Sequence, residues 1–198
     1  DGVFKEQWGR NYNGPDFTNP FGVALTSDGR FAVTSSGSHQ VVVVPIAGGY
    51  IDIWGEEGTG EGDFDLLQGV AVASRNMVYV ADHAQPASAA NQPEIQKFWP
   101  VGTFVTRWGT QGSDPGQFRS VTGIAVDADD SVYVTDPQFG RIQKFTNSGR
   151  DLIGSAGDST GPVPAGTFED PTGIAVAPDG VTYMVDRGTH RVLVFKQE

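Results

Sequence analysis

Four times the chain writes phenylalanine, four residues, glycine: Phe17 and Gly22, Phe64 and Gly69, Phe118 and Gly123, Phe168 and Gly173. The copies stand about 50 residues apart. A period of that size means one supersecondary unit repeated, each unable to bury its apolar face without a neighbour. After each glycine comes a short β-branched run, "VAL" at Val23, "VAV" at Val70, "IAV" at Ile124 and "IAV" at Ile174, too short for a helix (strand a). Gly29, Asn76, Asp130 and Gly180 follow in matching places, residue types that tolerate the left-handed backbone of tight hairpins. Strand b is "RFAVT", "MVYVA", "SVYVT" and "VTYMV", from Arg30, Met77, Ser131 and Val181. Strand c is "VVVV", "IQKF", "IQKF" and "VLVF", from Val41, Ile95, Ile142 and Val192. Strand d is "YIDIWG" from Tyr50, "TFVTRWG" from Thr103 and "RDLIG" from Arg150, where Ile153 stands for the tryptophan.

Four-stranded antiparallel units of this length predict an all-β fold, a β-propeller of four blades. The fourth unit stops after strand c, while "VFKEQWG" at Val3–Gly9 has the pattern of strand d. The N-terminal strand is therefore expected to complete the last blade. The units run over about 10–55, 56–109, 110–154 and 155–198 plus strand 3–9, in one propeller domain spanning 1–198. The stretches "TGIAVDADDSVYVTDPQFGRIQKF" from Thr122 and "TGIAVAPDGVTYMVDRGTHRVLVF" from Thr172 resemble NHL repeats, and the resemblance extends through essentially the whole chain. It implies propellers that commonly have six blades. An open four-blade arc would expose roughly 500 Å² of apolar face, on the order of 12 kcal/mol. Closure of the four blades is the expectation, and an arc that closes in a homo-oligomer is the rival.

Composition narrows function by exclusion. A net charge of -11 leaves no basic stripe for nucleic acid, and no polybasic run for an anionic membrane. The longest apolar run, "VVVVPI" at Val41–Ile46, is strand-sized, so membrane insertion is not expected. The chain has no cysteine, which excludes thiolate chemistry and fits an extracellular or cell-surface protein.

Asp82, Asp136 and Asp186 end strand b, with Ser35 in the same place, and their equivalence across units marks them as turn fasteners rather than an acid and base pair. The same holds for His39 and His190 before strand c, since "GTHR" at Gly188 looks like the family turn. Some NHL propellers resemble the amidating lyase, whose metal is held by channel histidines; this sequence lacks that set. The residues ahead of the strand a glycines, Phe21, Gln68, Thr122 and Thr172, are expected around the channel mouth. Two stretches look irregular. The 83–94 loop offers His83, Gln85, Asn91 and Gln92 to a partner, and the acidic stretch 55–65 offers Glu56, Glu57, Glu61, Asp63 and Asp65 as calcium ligands. No other cofactor is implied. The resulting expectation is a non-catalytic binding, scaffold or self-assembly module for protein, carbohydrate or copies of itself. The alternative is a metal-assisted lyase or hydrolase at the channel mouth.

Overall fold

The computed structural model describes residues 2–5, 7–9, 16–47, 51–83, 92–157 and 168–196. The protein is an all-β propeller of four antiparallel blades. Blade 1 comprises β1 (Pro20–Leu25), β2 (Arg30–Ser35), β3 (Gln40–Pro45) and β4 (Asp52–Trp54). Blade 2 comprises β5 (Leu67–Val72), β6 (Val78–Asp82), β7 (Glu94–Phe98) and β8 (Phe104–Trp108). Blade 3 comprises β9 (Ile124–Val126), β10 (Val132–Asp136), β11 (Arg141–Phe145) and β12 (Leu152–Ala156). Blade 4 has three strands among the described residues, β13 (Pro171–Val176), β14 (Val181–Asp186) and β15 (Arg191–Lys196). Within each blade the strands pair in sequence order. No helix of the described residues is long and apolar enough to cross a membrane.

The a to b hairpins form where the left-handed residues allow: φ is +82° at Gly29, +58° at Asn76, +61° at Asp130 and +81° at Gly180. Strand alternation then gives each blade two apolar faces, and successive blades bury one against the next. Val41 and Val43 of blade 1 meet Phe64, Leu67, Val78 and Phe98 of blade 2. Tyr79 and Ile95 of blade 2 meet Phe118, Ile124 and Phe145 of blade 3, and Tyr133 and Ile142 of blade 3 meet Phe168 and Met184 of blade 4. Strand d tryptophans bridge these seams: Trp54 lies 5.6 Å from Phe98, and Trp108 lies 6.1 Å from Phe145.

Two sequence expectations are corrected. Ala156, not Ile153, occupies the tryptophan place in blade 3. The pairs Val41 with Trp54, Ile95 with Trp108 and Ile142 with Ala156 are equivalent. The turn before β12 is one residue longer than the turn before β8, since Phe98 pairs with Phe104 while Phe145 pairs with Leu152. The second correction concerns the join. No described residue of the N-terminal segment pairs with β15. Trp8 packs on Phe31 of blade 1, 5.7 Å away and edge-on, as Trp54 and Trp108 pack on the blades that follow theirs. The inner glycines, where blades approach closest, show the open end. A methyl on Gly22 would meet Val70, one on Gly69 would meet Thr122, and one on Gly123 would meet Thr172, but among the described residues one on Gly173 finds only Val185 of its own blade. Blades 1 and 4 thus do not pack on each other among the described residues. Val23 and Leu25 on one side, and Val192 and Val194 on the other, are 60 to 72% exposed.

Candidate functional site

The residues ending strand b are fasteners, but mainly of the connection that enters strand a; only Asp186, through the Thr189 hydroxyl, and Ser35, through the Ser38 hydroxyl, also hold a side chain of the turn that follows. Asp136, fully buried, accepts the backbone N–H groups of Arg119 (3.1 Å) and Ser120 (3.0 Å) and the Ser120 hydroxyl (3.1 Å), and pairs with Arg141 at 3.4 Å. Asp186 accepts the N–H groups of Glu169 and Asp170 and the Thr189 hydroxyl, with Arg191 3.4 Å away. Asp82 accepts the N–H groups of Asp65 and Leu66, and Ser35 accepts that of Thr18. Each therefore ties strand b to the connection that enters strand a, some 16 or 17 residues upstream. The b to c turns themselves are closed by left-handed residues, His39 (φ +54°), Gly140 (φ +57°) and His190 (φ +55°). His39 and His190 share a backbone role, and the His39 ring also contacts the Phe64 carbonyl at 3.1 Å.

Blade 2 departs from this scheme in its charge. The residue opposite the strand b terminus is Arg141 against Asp136 and Arg191 against Asp186, but Glu94 against Asp82. An acid thus stands where its sister blades place the counter-cation. Arg107 on β8 supplies partial compensation, donating to Glu94 at 3.4 Å and to the Thr59 carbonyl at 2.9 Å. Between these groups lies a cavity of about 450 Å³, walled by Thr59, Asp65, Asp82, Gln92, Glu94 and Arg107. Burial pushes the Asp82 carboxyl up to about 6 against the opposing pull of the Asp65 and Leu66 amides. Burial, opposed by Arg107 and reinforced by Asp82, pushes Glu94 up to about 7.

This geometry fixes the sign of a pH effect. A carboxyl whose folded pKa exceeds its unfolded value of 4.5 holds its proton longer in the folded state, so folded stability falls as pH rises from 4.5 through about 7. Glu94→Gln removes the charge that burial penalises. The variant is expected to be more stable than the parent at pH 8, on the order of 3 kcal/mol, and to match it near pH 4.5. Urea unfolding at the two pH values measures this; equal midpoint shifts at both would show that Glu94 is not forced to ionise in a buried site.

A second cavity, about 640 Å³, where the channel mouth is expected, is lined by Phe21, Gln68, Thr122 and Thr172, with His83 beside them. His83 is committed locally, with Nδ1 accepting the Val121 N–H at 3.3 Å. The Asp170 and Arg187 ion pair, 2.6 Å, closes the side toward blade 4. The remaining partner-binding residues divide. Gln92 belongs to the blade 2 cavity, its side-chain oxygen accepting the Gln111 N–H, and Gln85 and Asn91 lie outside the described residues.

The acidic stretch is not irregular. Residues 55–65 superpose in pattern on 109–119: Gly55, Gly58, Gly62 and Phe64 match Gly109, Gly112, Gly116 and Phe118. Both loops make the same parallel bridge, Glu57 with Phe64 and Gln111 with Phe118. A buried glutamine holds each from beneath. Gln96 accepts from the Gly62 N–H and donates to the Asp63 carbonyl; Gln143 accepts from the Gly116 N–H and donates to the Gln117 carbonyl. Glu56, Glu61 and Asp63 flank a shallow depression beside Trp54, whereas Asp65 faces the blade 2 cavity. The loop geometry spreads the carboxylates, and among the described residues no three His, Asp or Glu side chains converge to hold a metal. Sequence reasoning missed Glu94 and Arg107 as site residues. The signal was available, since the residue preceding strand c reads Gln40, Glu94, Arg141 and Arg191 across the four units.

No family model matches the chain. It is 31% identical over 148 residues to rat peptidylglycine alpha-amidating monooxygenase, an alignment covering 69% of this chain and 14% of that protein. Among solved structures it is similar to a streptogramin B lyase, with a TM-score of 0.62 and 16% identity, covering 91% of this chain and 55% of that one. It is also similar to virginiamycin B lyase from Staphylococcus aureus, with a TM-score of 0.55 and 13% identity, covering 90% and 70%. The chain thus spans only part of each of these proteins.

Proposed function

We propose that this chain is an NHL-like propeller acting as a non-catalytic binding or scaffold module outside the cell, and that its partner, a protein or a carbohydrate, docks at the blade 2 cavity. One observation carries this. The single unit in which the Asp and Arg pairing is replaced by Asp and Glu is also the unit whose sequence lengthens the strand b to c connection, and the cavity is walled by Gln92 and Glu94 at the end of that connection and by Gly58, Thr59 and Asp65 of the 55–65 loop. Loops held on a rigid repeat are where such folds carry specificity. A site with Asp82, Glu94 and Gln92 as acceptors and Arg107 as donor suits a ligand with several hydrogen-bonding groups, such as a sugar ring or a polar peptide. The channel mouth holds His83 and an ion pair but no convergent metal ligands among the described residues, so the lyase or hydrolase alternative gains nothing there.

The test is Glu94→Arg, which restores the sister-blade pairing and fills the cavity. Glycan and peptide arrays probed with the parent are expected to yield a ligand whose affinity falls at least tenfold in the variant, with circular dichroism unchanged. A ligand bound equally by both proteins would move the docking site elsewhere, and arrays without any binder would remove the binding-module reading.

A further inference from the structure

Blade 3 shows what its strand b carboxylate needs. The Arg141 guanidinium stands beside Asp136, with Nε 3.4 Å from the carboxylate. Its two ends donate to carbonyls of the loop entering the blade, Nη1 to Ser113 at 2.8 Å and Nη2 to Gln117 at 2.7 Å. Blade 4 repeats the pairing, with Arg191 at 3.4 Å from Asp186. Blade 2 keeps this cradle and omits the cation. The 55–65 loop carries three glycines and a phenylalanine at the spacing of 109–119, so Thr59 and Asp63 present the carbonyls that Ser113 and Gln117 present. The Gln96 amide donates to Asp63 at 2.7 Å, as Gln143 does to Gln117 at 2.7 Å. Asp82, buried, accepts the Asp65 and Leu66 amides as Asp136 accepts those of Arg119 and Ser120. Opposite it, however, stands Glu94.

Nothing nearby makes up the loss. Arg107 reaches the Thr59 carbonyl at 2.9 Å and Glu94 at 3.4 Å, but among the described residues no lysine or arginine forms an ion pair with Asp82. The connection 83–94 contains neither lysine nor arginine. The cavity of about 450 Å³ therefore has three carboxylates in its wall, Asp65, Asp82 and Glu94, against the single guanidinium of Arg107. A buried carboxylate with no full counter-charge is costly, and the space left open adjoins the place where the sister blades put a guanidinium.

We propose that a partner protein supplies the missing cation: an arginine side chain of the partner enters the blade 2 cavity, its guanidinium standing beside Asp82 and Glu94 as Arg141 stands beside Asp136. This rests on the reading of that cavity as the docking site, and it narrows the ligand from a polar group in general to a basic peptide. Arginine suits the place better than lysine. Its planar fork can serve a carboxylate and a loop carbonyl together, as Arg141 does, whereas an ammonium is a compact point charge. The net charge of -11 draws basic partners toward the chain. A bound cation favours ionised carboxyls, so binding should tighten as pH rises through the values of about 6 for Asp82 and about 7 for Glu94. Of the other charged groups, Arg107 faces Glu94 and keeps its charge throughout; His39 acts on Asp82 and His83 on Asp65, and their loss of protons works in the same direction.

The test is an NMR titration of the nitrogen-15-labelled 198-residue chain with N-acetylarginine amide, N-acetyllysine amide and N-acetylcitrulline amide, the last having the shape of the first without its charge. The arginine amide is expected to shift the Trp108 indole and the Thr59 and Glu94 backbone signals in a saturable way, more tightly at pH 8 than at pH 5.5. Citrulline amide should bind about tenfold more weakly, with lysine amide between them. Glu94→Gln, which keeps the shape of the wall, should weaken the arginine amide about tenfold, and Glu94→Arg should abolish its binding because its own guanidinium takes the place. Arginine and citrulline amides bound equally, shifts confined to another part of the propeller, or unchanged affinity in Glu94→Gln would each overturn the proposal. An array ligand that is lost in Glu94→Arg yet contains no arginine would overturn the arginine assignment while leaving the docking site in place; arrays without any binder would remove both.

Discussion

Asp136→Ala is expected to lower the melting temperature by about 10 °C, through a loss of roughly 3 to 5 kcal/mol in a protein of this size. The carboxylate is fully buried and serves two backbone amides, one hydroxyl and one guanidinium. Truncation strands the Arg119 and Ser120 amides in a site that water does not reach, and leaves Arg141 without its counter-charge. Burial raises the Asp136 pKa, opposed by those amides and by Arg141, so the partners only partly compensate the charge. Asp136→Asn, which keeps an acceptor for the amides, should recover part of the loss. Differential scanning calorimetry decides the matter: an alanine variant melting within 2 °C of the parent would mean that the blade 3 entry loop does not depend on this carboxylate.

That role was half legible in the sequence. The equivalence of Asp82, Asp136 and Asp186 across units pointed to structure rather than chemistry, but the sequence-adjacent turn was a poor guide to the partner. The amides that need an acceptor belong to the connection entering strand a, which repeat closure brings beside the end of strand b. The strands themselves were readable because alternation and β-branched runs are local signals, and Gly29, Asn76, Asp130 and Gly180 announced their hairpins by residue type. Register was less readable. One extra residue in the turn before β12 shifted Ala156 into the tryptophan place, and a window match cannot see pairing. The join between the first and last blades was illegible for a different reason. Strand phase shows that the N-terminal strand suits a blade like the fourth, but whether that blade lies in the same chain depends on how far each blade turns relative to the last.

The inner glycines also provide the sharpest comparison between equivalent positions. Gly123→Ala is expected to cost about 3 kcal/mol, combining overpacking with the loss of a hydrogen bond. The new methyl group would run into the Thr172 carbonyl, a backbone atom that cannot rotate aside, and would crowd the Thr135 hydroxyl at 3.0 Å. That hydroxyl accepts the Gly123 N–H and donates to the Thr172 carbonyl, so pushing the blades apart breaks the bridge between blades 3 and 4. Gly173→Ala is the matched control: the same sequence position one blade later, where among the described residues the added methyl meets only Val185, at 3.7 Å. Gly173→Ala should leave thermal melting unchanged while Gly123→Ala lowers it by several degrees. Equal melting losses for the two glycines would mean that Gly173 is packed as closely as Gly123.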